Sequence, residues 1–277
     1  MKILIVGLGV IGGSYAMALK AGGYEDVYGI DNNIETLKKA EALGIIKAGY
    51  VDSKEIVEEA DLIIISLYPR LVKSFIENNK DHFKAGAIVT DATGIKGHFI
   101  DDILDILPKE IDFIFGHPMA GREKKGIDYA SKEVFKGANY LITVTDRNRE
   151  ENINILEKII YDMGFKKIRR ISPDYHDEII AFTSQLPHAI AVALINSDEE
   201  GRDTGSFIGD SYRDLTRIAN INEDLWSELF FGNKENLLAS LDNFLIEINN
   251  IKNSLINEEE ETLRKLFIKS SKRREKL

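Results

Sequence analysis

The stretch Ile3-Leu-Ile-Val-Gly-Leu-Gly-Val-Ile-Gly-Gly-Ser14, with Val27-Tyr-Gly-Ile-Asp31 a helix length further on, decides the fold of this chain. It reads as a buried strand, a glycine turn, a helix start, a second strand and an acid at its tip. Gly7, Gly9 and Gly12 form G-x-G-x-x-G directly after the apolar run, with Asp31 roughly 20 residues beyond, the arrangement of a dinucleotide-binding βαβ unit. Gly7 permits the tight turn, Gly9 lets the backbone approach a pyrophosphate, and Gly12 lets the helix pack close to the strand. Leu8, Val10 and Ile11 complete the turn and the helix start, whose free N–H groups and partial positive charge suit phosphates. The competing reading is a glycine-rich turn that binds nothing; the strand, helix and acid around the motif argue against it. Asp31 can accept both ribose hydroxyls of the adenosine half and would repel a 2′-phosphate. Asn32 and Asn33 supply no cation to offset that, so the cofactor expected is NAD rather than NADP.

The bulk numbers bound the rest. A chain of 277 residues accommodates two domains, or one large one, and 44% hydrophobic with 30% charged residues describes a soluble globular protein. A formal charge of −10 argues against a nucleic-acid partner, which needs a basic face. The basic run Lys269-Ser-Ser-Lys-Arg-Arg-Glu-Lys276 reads as a solvated helix end, and Glu258–Glu261 as a helix start favoured by the macrodipole. Without cysteine there is no disulfide framework, thiol nucleophile or zinc–thiolate site, and a reducing cytoplasm is the expected location. The first residues lack a long apolar segment, and no stretch reads as the ~18 apolar residues of a membrane span. Neither a signal peptide nor a membrane partner is therefore expected.

Apolar strands alternate with amphipathic helices through the first part of the chain. Strands are read at 2–6, 26–30, 61–66, 86–91, 112–115 and 139–144, with a further one at 166–171. Helices are read near 12–22, 33–43, 53–59, 69–79 and 98–107. The alternation implies an α/β Rossmann domain over 1–172, a mostly parallel, doubly wound sheet covered on both faces. Ligands of such sheets bind beyond the carboxyl ends of the strands, which singles out Ser66, Asp91 with Thr93, and His117. After Ile171-Ser-Pro173 the pattern turns helical, with one long helix over 174–195 and others over 223–252 and 257–274. Pro173 suits a helix's first turn, which puts the boundary of an all-α domain at 173–277. Alone, that Leu-, Ile- and Ala-rich half would make an odd globule, so packing against a second copy in a homodimer is expected.

The five histidines are not equivalent. His82 and His98 lie in polar contexts that read as surface, and His176 near a helix start reads as capping or solvated beside Asp174 and Asp177. His117 stands in Gly116-His-Pro-Met-Ala-Gly121, just past an apolar strand, in a turn facing the cofactor crevice. It reads either as a general base, its ordinary pKa near 6.5 suiting proton removal at neutral pH, or as a turn histidine bonded for structure. His188, next to the helix-kinking Pro187, reads as packed or aimed by the kink. Arg213 and Arg217 are four apart with Asp214 between them, a fork for a substrate carboxylate or a surface ion-pair lattice. Trp226 is the one tryptophan and reads as core. No metal site is read.

Together, Gly7-x-Gly-x-x-Gly-Gly-Ser14, Asp91-x-x-Gly-Ile-Lys96, Gly116-His-Pro-Met-Ala-Gly121, Leu186-Pro-His188 and Arg213-Asp-Leu-Thr-Arg-Ile-Ala219 resemble, in order, the prephenate dehydrogenase family. These are tyrosine-biosynthesis enzymes with a Rossmann domain and an all-helical dimerisation domain, and the resemblance runs over essentially the whole chain. It implies that His117 is the catalytic histidine engaging the substrate's ring hydroxyl and that Arg217 binds a substrate carboxylate. His188 matches a second active-site histidine, Glu123 an acid near the entrance, Asp214 a residue orienting the arginine region, and Trp226 a pocket-side tryptophan. Two departures stand out. Gly94 occupies the position of a family serine that bonds the catalytic histidine, so Thr93 or water is expected to take over. Gln185 replaces the family's usual histidine before Leu-Pro-His.

The implied reaction is NAD-dependent oxidative decarboxylation of prephenate to 4-hydroxyphenylpyruvate. The nearest rival is the same chemistry on arogenate, whose ammonium the pocket would have to accommodate; no acid's placement decides this, and Glu123 is the residue to test. Hydroxyacid dehydrogenases and imine reductases share the two-domain plan, but the helical part offers no strong lysine or other donor for their chemistry. A nicotinamide-sensing dimer without catalysis is a rival of another class, and His117, His188 and Arg217 speak against it. The chain reads as too short for an appended regulatory domain, so tyrosine feedback is expected to act at the active site.

Overall fold

The computed structural model describes residues 1–52, 54–121 and 124–276. Its strands are β1 (Ile3–Val6), β2 (Val27–Ile30), β3 (Gly49–Tyr50), β4 (Leu62–Ile65), β5 (Ile88–Asp91), β6 (Asp112–Pro118), β7 (Asn139–Thr143) and β8 (Lys167–Ile171). They form one sheet in the order β3-β2-β1-β4-β5-β6-β7-β8, parallel at every pairing except the antiparallel β6–β7. The order reverses between β1 and β4, so the switch point of the doubly wound sheet lies between the carboxyl ends of those two strands.

The helices α1 (Val10–Ala21), α2 (Ile34–Ala42), α3 (Lys54–Glu59), α4 (Pro69–Asn79), α5 (Gly97–Leu104) and α6 (Glu150–Asp162) cover both faces. Alternate residues of β1 explain why its sequence is apolar without a break. Ile3 and Ile5 pack with Tyr15, Leu19 and Leu156 on one face, while Leu4 and Val6 pack with Ile63, Val72 and Phe113 on the other. Each such side chain, fully buried, contributes about 1.5–3 kcal/mol relative to exposure.

Beyond the sheet come α7 (Pro173–Ile180), α8 (Leu186–Asn196), α9 (Asp210–Thr216), α10 (Glu223–Gly232), α11 (Lys234–Ile256) and α12 (Glu260–Arg274). Ser172 caps α7 by accepting the Tyr175 N–H. One wide π turn, Ala181–Gln185, joins α7 to α8. Pro187 has no N–H to return to the preceding turn, and the helix widens where that bond is lost. The widening turns Gln185 inward, where it is 1% exposed.

Several sequence expectations need correction. The short β3 and the helix α6 are not among the segments read from sequence, although Ile153, Leu156, Ile159 and Ile160 carry α6's period plainly. His117 is not in a turn past the strand. β6 runs on to Pro118 and pairs His117 with Leu141 of β7. The helix expected over 223–252 breaks at Asn233, whose backbone leaves the helical region at φ −128°. The continuous helix Pro173–Asn196 has the length and apolar composition of a membrane span, against the expectation that no stretch does. Its His176, Asp177 and Gln185 are nonetheless hydrogen-bonded to the rest of the protein, which accounts for its inward side.

Candidate active site

Gly7 leaves β1 with φ +86°, and a Cβ there would stand 2.6 Å from the Ser66 carbonyl oxygen at the end of β4. A Cβ on Gly12 would fall on the Gly7 carbonyl oxygen, whereas one on Gly9 would meet nothing within 4 Å. The turn is thus closed on its inner side and open on its outer side. α1 starts there with no side-chain cap and no acid in its first turn, which leaves its leading N–H groups to an anion. Asp31, just past β2, accepts the Leu8 N–H at 2.8 Å on Oδ2 and the Asn33 N–H at 2.9 Å on Oδ1. Those bonds hold the acid at the edge of the turn and leave lone pairs for ribose hydroxyls. Cradle, free helix end and acid fit a dinucleotide.

Across the crevice, His117 Nδ1 lies 2.9 Å from His176 Nε2, and His176 Nδ1 lies 2.7 Å from Asp177 Oδ1. Asp177 is fixed in turn: Lys96 N–H donates to Oδ1 at 2.8 Å and Gly97 N–H to Oδ2 at 2.7 Å. Asn233 Nδ2 donates to the Asp177 carbonyl at 2.8 Å. A carboxylate only accepts, so His176 carries its proton on Nδ1 and presents a lone pair at Nε2. His117 then donates from Nδ1, which leaves the lone pair of its own Nε2 bare. That nitrogen faces position 94, where a Cβ would stand 3.7 Å from it.

Both imidazoles are held neutral. Desolvation pushes His117 well below its ordinary 6.5, and the neighbouring His176 and Lys96 add to the push. Desolvation also lowers His176, against the opposing pull of Asp177. With folded pKa values below the unfolded ones, the unfolded chain takes up protons first as the pH falls. Stability contributed by the neutral pair is complete above pH ~6.5 and declines below it, by at most about 1.4 kcal/mol per pH unit per imidazole. Denaturant titrations from neutral to mildly acidic pH should show this decline; a flat profile there would contradict the neutral pair.

α10 roofs the crevice. A Cβ on Gly94 would touch Leu229 at 3.3 Å, and one on Gly232 would press on Ile95 at 2.6 Å. One turn before Leu229, about 4.5 Å along the axis, Trp226 stacks on His188 with ring centroids 3.7 Å apart. His188 donates from Nδ1 to the Ser184 carbonyl at 2.8 Å, and the short turn carrying Arg217 packs on α8. Neutral His117, near Leu229, and the His188–Trp226 stack thus lie one helical turn apart along α10, and His117 sits at the same carboxyl edge of the sheet as the glycine cradle, three strands along.

The model of the prephenate dehydrogenase nucleotide-binding domain matches residues 15–169, and that of the prephenate dehydrogenase dimerization domain matches residues 172–269. The chain belongs to the prephenate dehydrogenase family. It is 27% identical to a prephenate dehydrogenase of Bacillus subtilis, over 96% of this chain and 73% of the relative. The structure of Aquifex aeolicus prephenate dehydrogenase in complex with hydroxyphenyl propionate and NAD+ superposes with a TM-score of 0.90 at 31% identity, covering 100% of this chain and 98% of that one. A Synechocystis arogenate dehydrogenase follows with a TM-score of 0.83 at 27% identity, covering 100% and 99%.

Against the family pattern, the structure corrects several residue expectations. Thr93 does not replace the missing serine: its hydroxyl is bonded to Asp91, to Lys96 Nζ at 2.9 Å and to the Ile95 carbonyl at 3.2 Å. The Asp91 carboxylate is spent inside the protein. It is fully buried, pairing with Lys96 Nζ at 2.7 Å on Oδ2 and accepting the Gly116 N–H at 3.0 Å on Oδ1. This buried pair braces the strand ends under His117. His176, read from sequence as a cap or solvated, is fully buried and is the one histidine in hydrogen-bond contact with His117 among the described residues. Its only sequence signal was the His-Asp pair just past the last strand.

The arginine fork is not formed as drawn. α9 ends at Thr216 and Arg217 opens a tighter turn, so Arg213 and Arg217 do not occupy successive turns of one α-helix. Arg213 pairs instead with Asp210 at 2.8 Å on the surface, and Asp214 and Arg217 are exposed on the protomer. Ser66 is half-buried against Gly7, at the cofactor turn. Gln185 donates to the Leu229 carbonyl at 2.9 Å and accepts from Asn233 at 3.0 Å, which spends its amide on the roof. Glu123 and the His98 side chain lie outside the described residues.

Proposed function

We propose that this chain oxidises and decarboxylates prephenate to 4-hydroxyphenylpyruvate with NAD, and that His117 is the base. The observation carrying the reading is the Asp177–His176–His117 chain, which leaves one unprotonated imidazole nitrogen facing position 94, at the same carboxyl edge of the sheet as the nucleotide cradle. His117 Nε2 accepts the proton of the substrate's ring hydroxyl. NAD, when bound, supplies the acceptor for the hydride leaving the same carbon. Loss of carbon dioxide from the ring makes it aromatic, and the imidazolium returns its proton to the resulting phenolate. His176 is a positioning residue: bonded to Asp177, it keeps the proton of His117 on Nδ1. The crevice need only hold the reacting carbon in place, since aromatisation supplies the driving force.

At the far end we assign His188 and Arg217 to the substrate's carboxylates, with Trp226 as the wall between them. Replacing Arg217 with Ala should raise KM by roughly 10- to 100-fold, the worth of a charged hydrogen bond of about 1.5–3 kcal/mol, and lower kcat far less. Steady-state kinetics check this; an unchanged KM removes Arg217 from substrate binding.

We also propose a cytoplasmic homodimer with its domains divided at 172/173. The exposed Leu245, Ile246, Leu255, Ile256, Phe267 and Ile268 on α11 and α12 would be covered by the second copy, as would Phe182 and Ile195 on the long helix. The test of function is to follow reduced nicotinamide with prephenate or arogenate against NAD or NADP. Turnover is expected with prephenate and NAD; turnover with arogenate alone would move the assignment to the amino-acid substrate.

A further inference from the structure

The roof helix α10 is fastened to the cofactor side of the crevice at two points. Asn222 Nδ2 donates to the Tyr68 hydroxyl at 2.8 Å, while Asn222 Oδ1 accepts the Leu225 N–H and so caps α10. Glu228 accepts the backbone N–H of Arg70 at 3.1 Å on one oxygen and the Arg70 guanidinium on the other. α4 has no side-chain cap of its own, so a carboxylate from the helical half fills its N-terminus, where a negative charge is favoured. Tyr68 directly follows Ser66 and Leu67, with Arg70 two residues further on, and Ser66 and Leu67 are the residues a Cβ on Gly7 would strike. The phosphate turn, the β4–α4 connection and α10 therefore form one unbroken chain of contacts, ending at Trp226.

We propose that Tyr68, Asn222, Arg70 and Glu228 are positioning residues that couple cofactor occupancy at the glycine turn to the placement of α10 and Trp226 over the substrate. The coupling rests on the function proposed above for the identity of the cofactor, and it is reciprocal: a ligand under α10 tightens NAD by the factor that NAD tightens the ligand. Glu228 is mostly covered, its side chain 17% exposed, so its bond to the first turn of α4 is better protected from water than an exposed surface pair. A pyrophosphate that shifts the β4–α4 connection would carry with it the groups that Asn222 and Glu228 hold, the Tyr68 hydroxyl and the first turn of α4.

Trp226 reports on this without any turnover, being the only tryptophan in the chain. NAD is titrated into the wild-type protein and into the double variant Tyr68→Phe/Glu228→Ala, with binding followed by calorimetry and the emission maximum of Trp226 recorded alongside. The affinity of 4-hydroxyphenylpropionate is measured with and without NAD. The wild type should shift its emission on NAD and bind the probe about fivefold or more tighter with NAD present. In the double variant NAD should still bind, with the shift lost and the ratio near one. Glu228→Gln, which keeps an acceptor for the Arg70 N–H, should restore part of both, an outcome that simple loss of stability would not give. Should the double variant not fold, Tyr68→Phe alone, lacking a single hydroxyl, should still reduce the ratio. An equal shift and ratio in wild type and variants overturns the coupling. NAD heat with no shift in the wild type also overturns it while sparing the cofactor assignment, and absence of NAD binding in the wild type sinks both.

Discussion

His117→Asn is expected to lower turnover by about 10²–10⁴, the usual contribution of a positioned general base, with NAD affinity unchanged. Asparagine keeps a polar group of similar reach and can donate to His176 Nε2, so the buried hydrogen bond of 2.9 Å has a substitute. What is lost is the lone pair at Nε2. The cradle lies on other residues, Gly7, Gly9, Gly12 and Asp31, so binding and chemistry should separate cleanly. Stopped-flow or steady-state rates beside calorimetric NAD titration measure the two. Turnover within a few-fold of wild type would remove His117 from the mechanism.

Gly9→Ala should leave the fold intact and weaken NAD by tenfold or more, about 1.4 kcal/mol or above. A methyl at Gly9 meets no protein atom within 4 Å, so nothing in the folded chain opposes it. It projects instead into the open side of the turn, where the pyrophosphate must approach. Gly12→Ala is the counterpart. Its methyl would fall on the Gly7 carbonyl, so both stability and NAD affinity should drop. Thermal unfolding and NAD titration of the two variants discriminate the roles. Normal NAD affinity in Gly9→Ala would place the dinucleotide elsewhere.

The nucleotide half was legible in the sequence because its physics is local. A parallel strand buried on both faces must be continuously apolar, and Ile3–Val6, Leu62–Ile65 and Ile88–Val89 all are. The glycine turn and Asp31 announce themselves by spacing. The catalytic surroundings were less legible, because they depend on contacts between distant segments. His117 and His176 are 59 positions apart, and Asp177 bonds backbone groups 81 and 80 positions away. Thr93 looked like a substitute for a missing hydroxyl because it neighbours Gly94. Yet past the end of β5 its side chain turns to the buried Asp91–Lys96 pair instead. Pro187 announces the loss of one helical hydrogen bond, but the π turn that buries Gln185 against α10 needs the tertiary partner Leu229. Arg217 reads as α-helical by spacing and opens a 3₁₀ turn instead, because α9 stops at Thr216.

Base catalysis by His117 depends on the protonation of one ring, and nitrogen NMR of histidine-labelled protein with NAD bound reads it at about neutral pH. His117 should appear as a neutral imidazole with the proton on Nδ1 and a bare Nε2, and His176→Asn should disturb that signal. A His117 that is doubly protonated, or that carries its proton on Nε2, would contradict the proposed base.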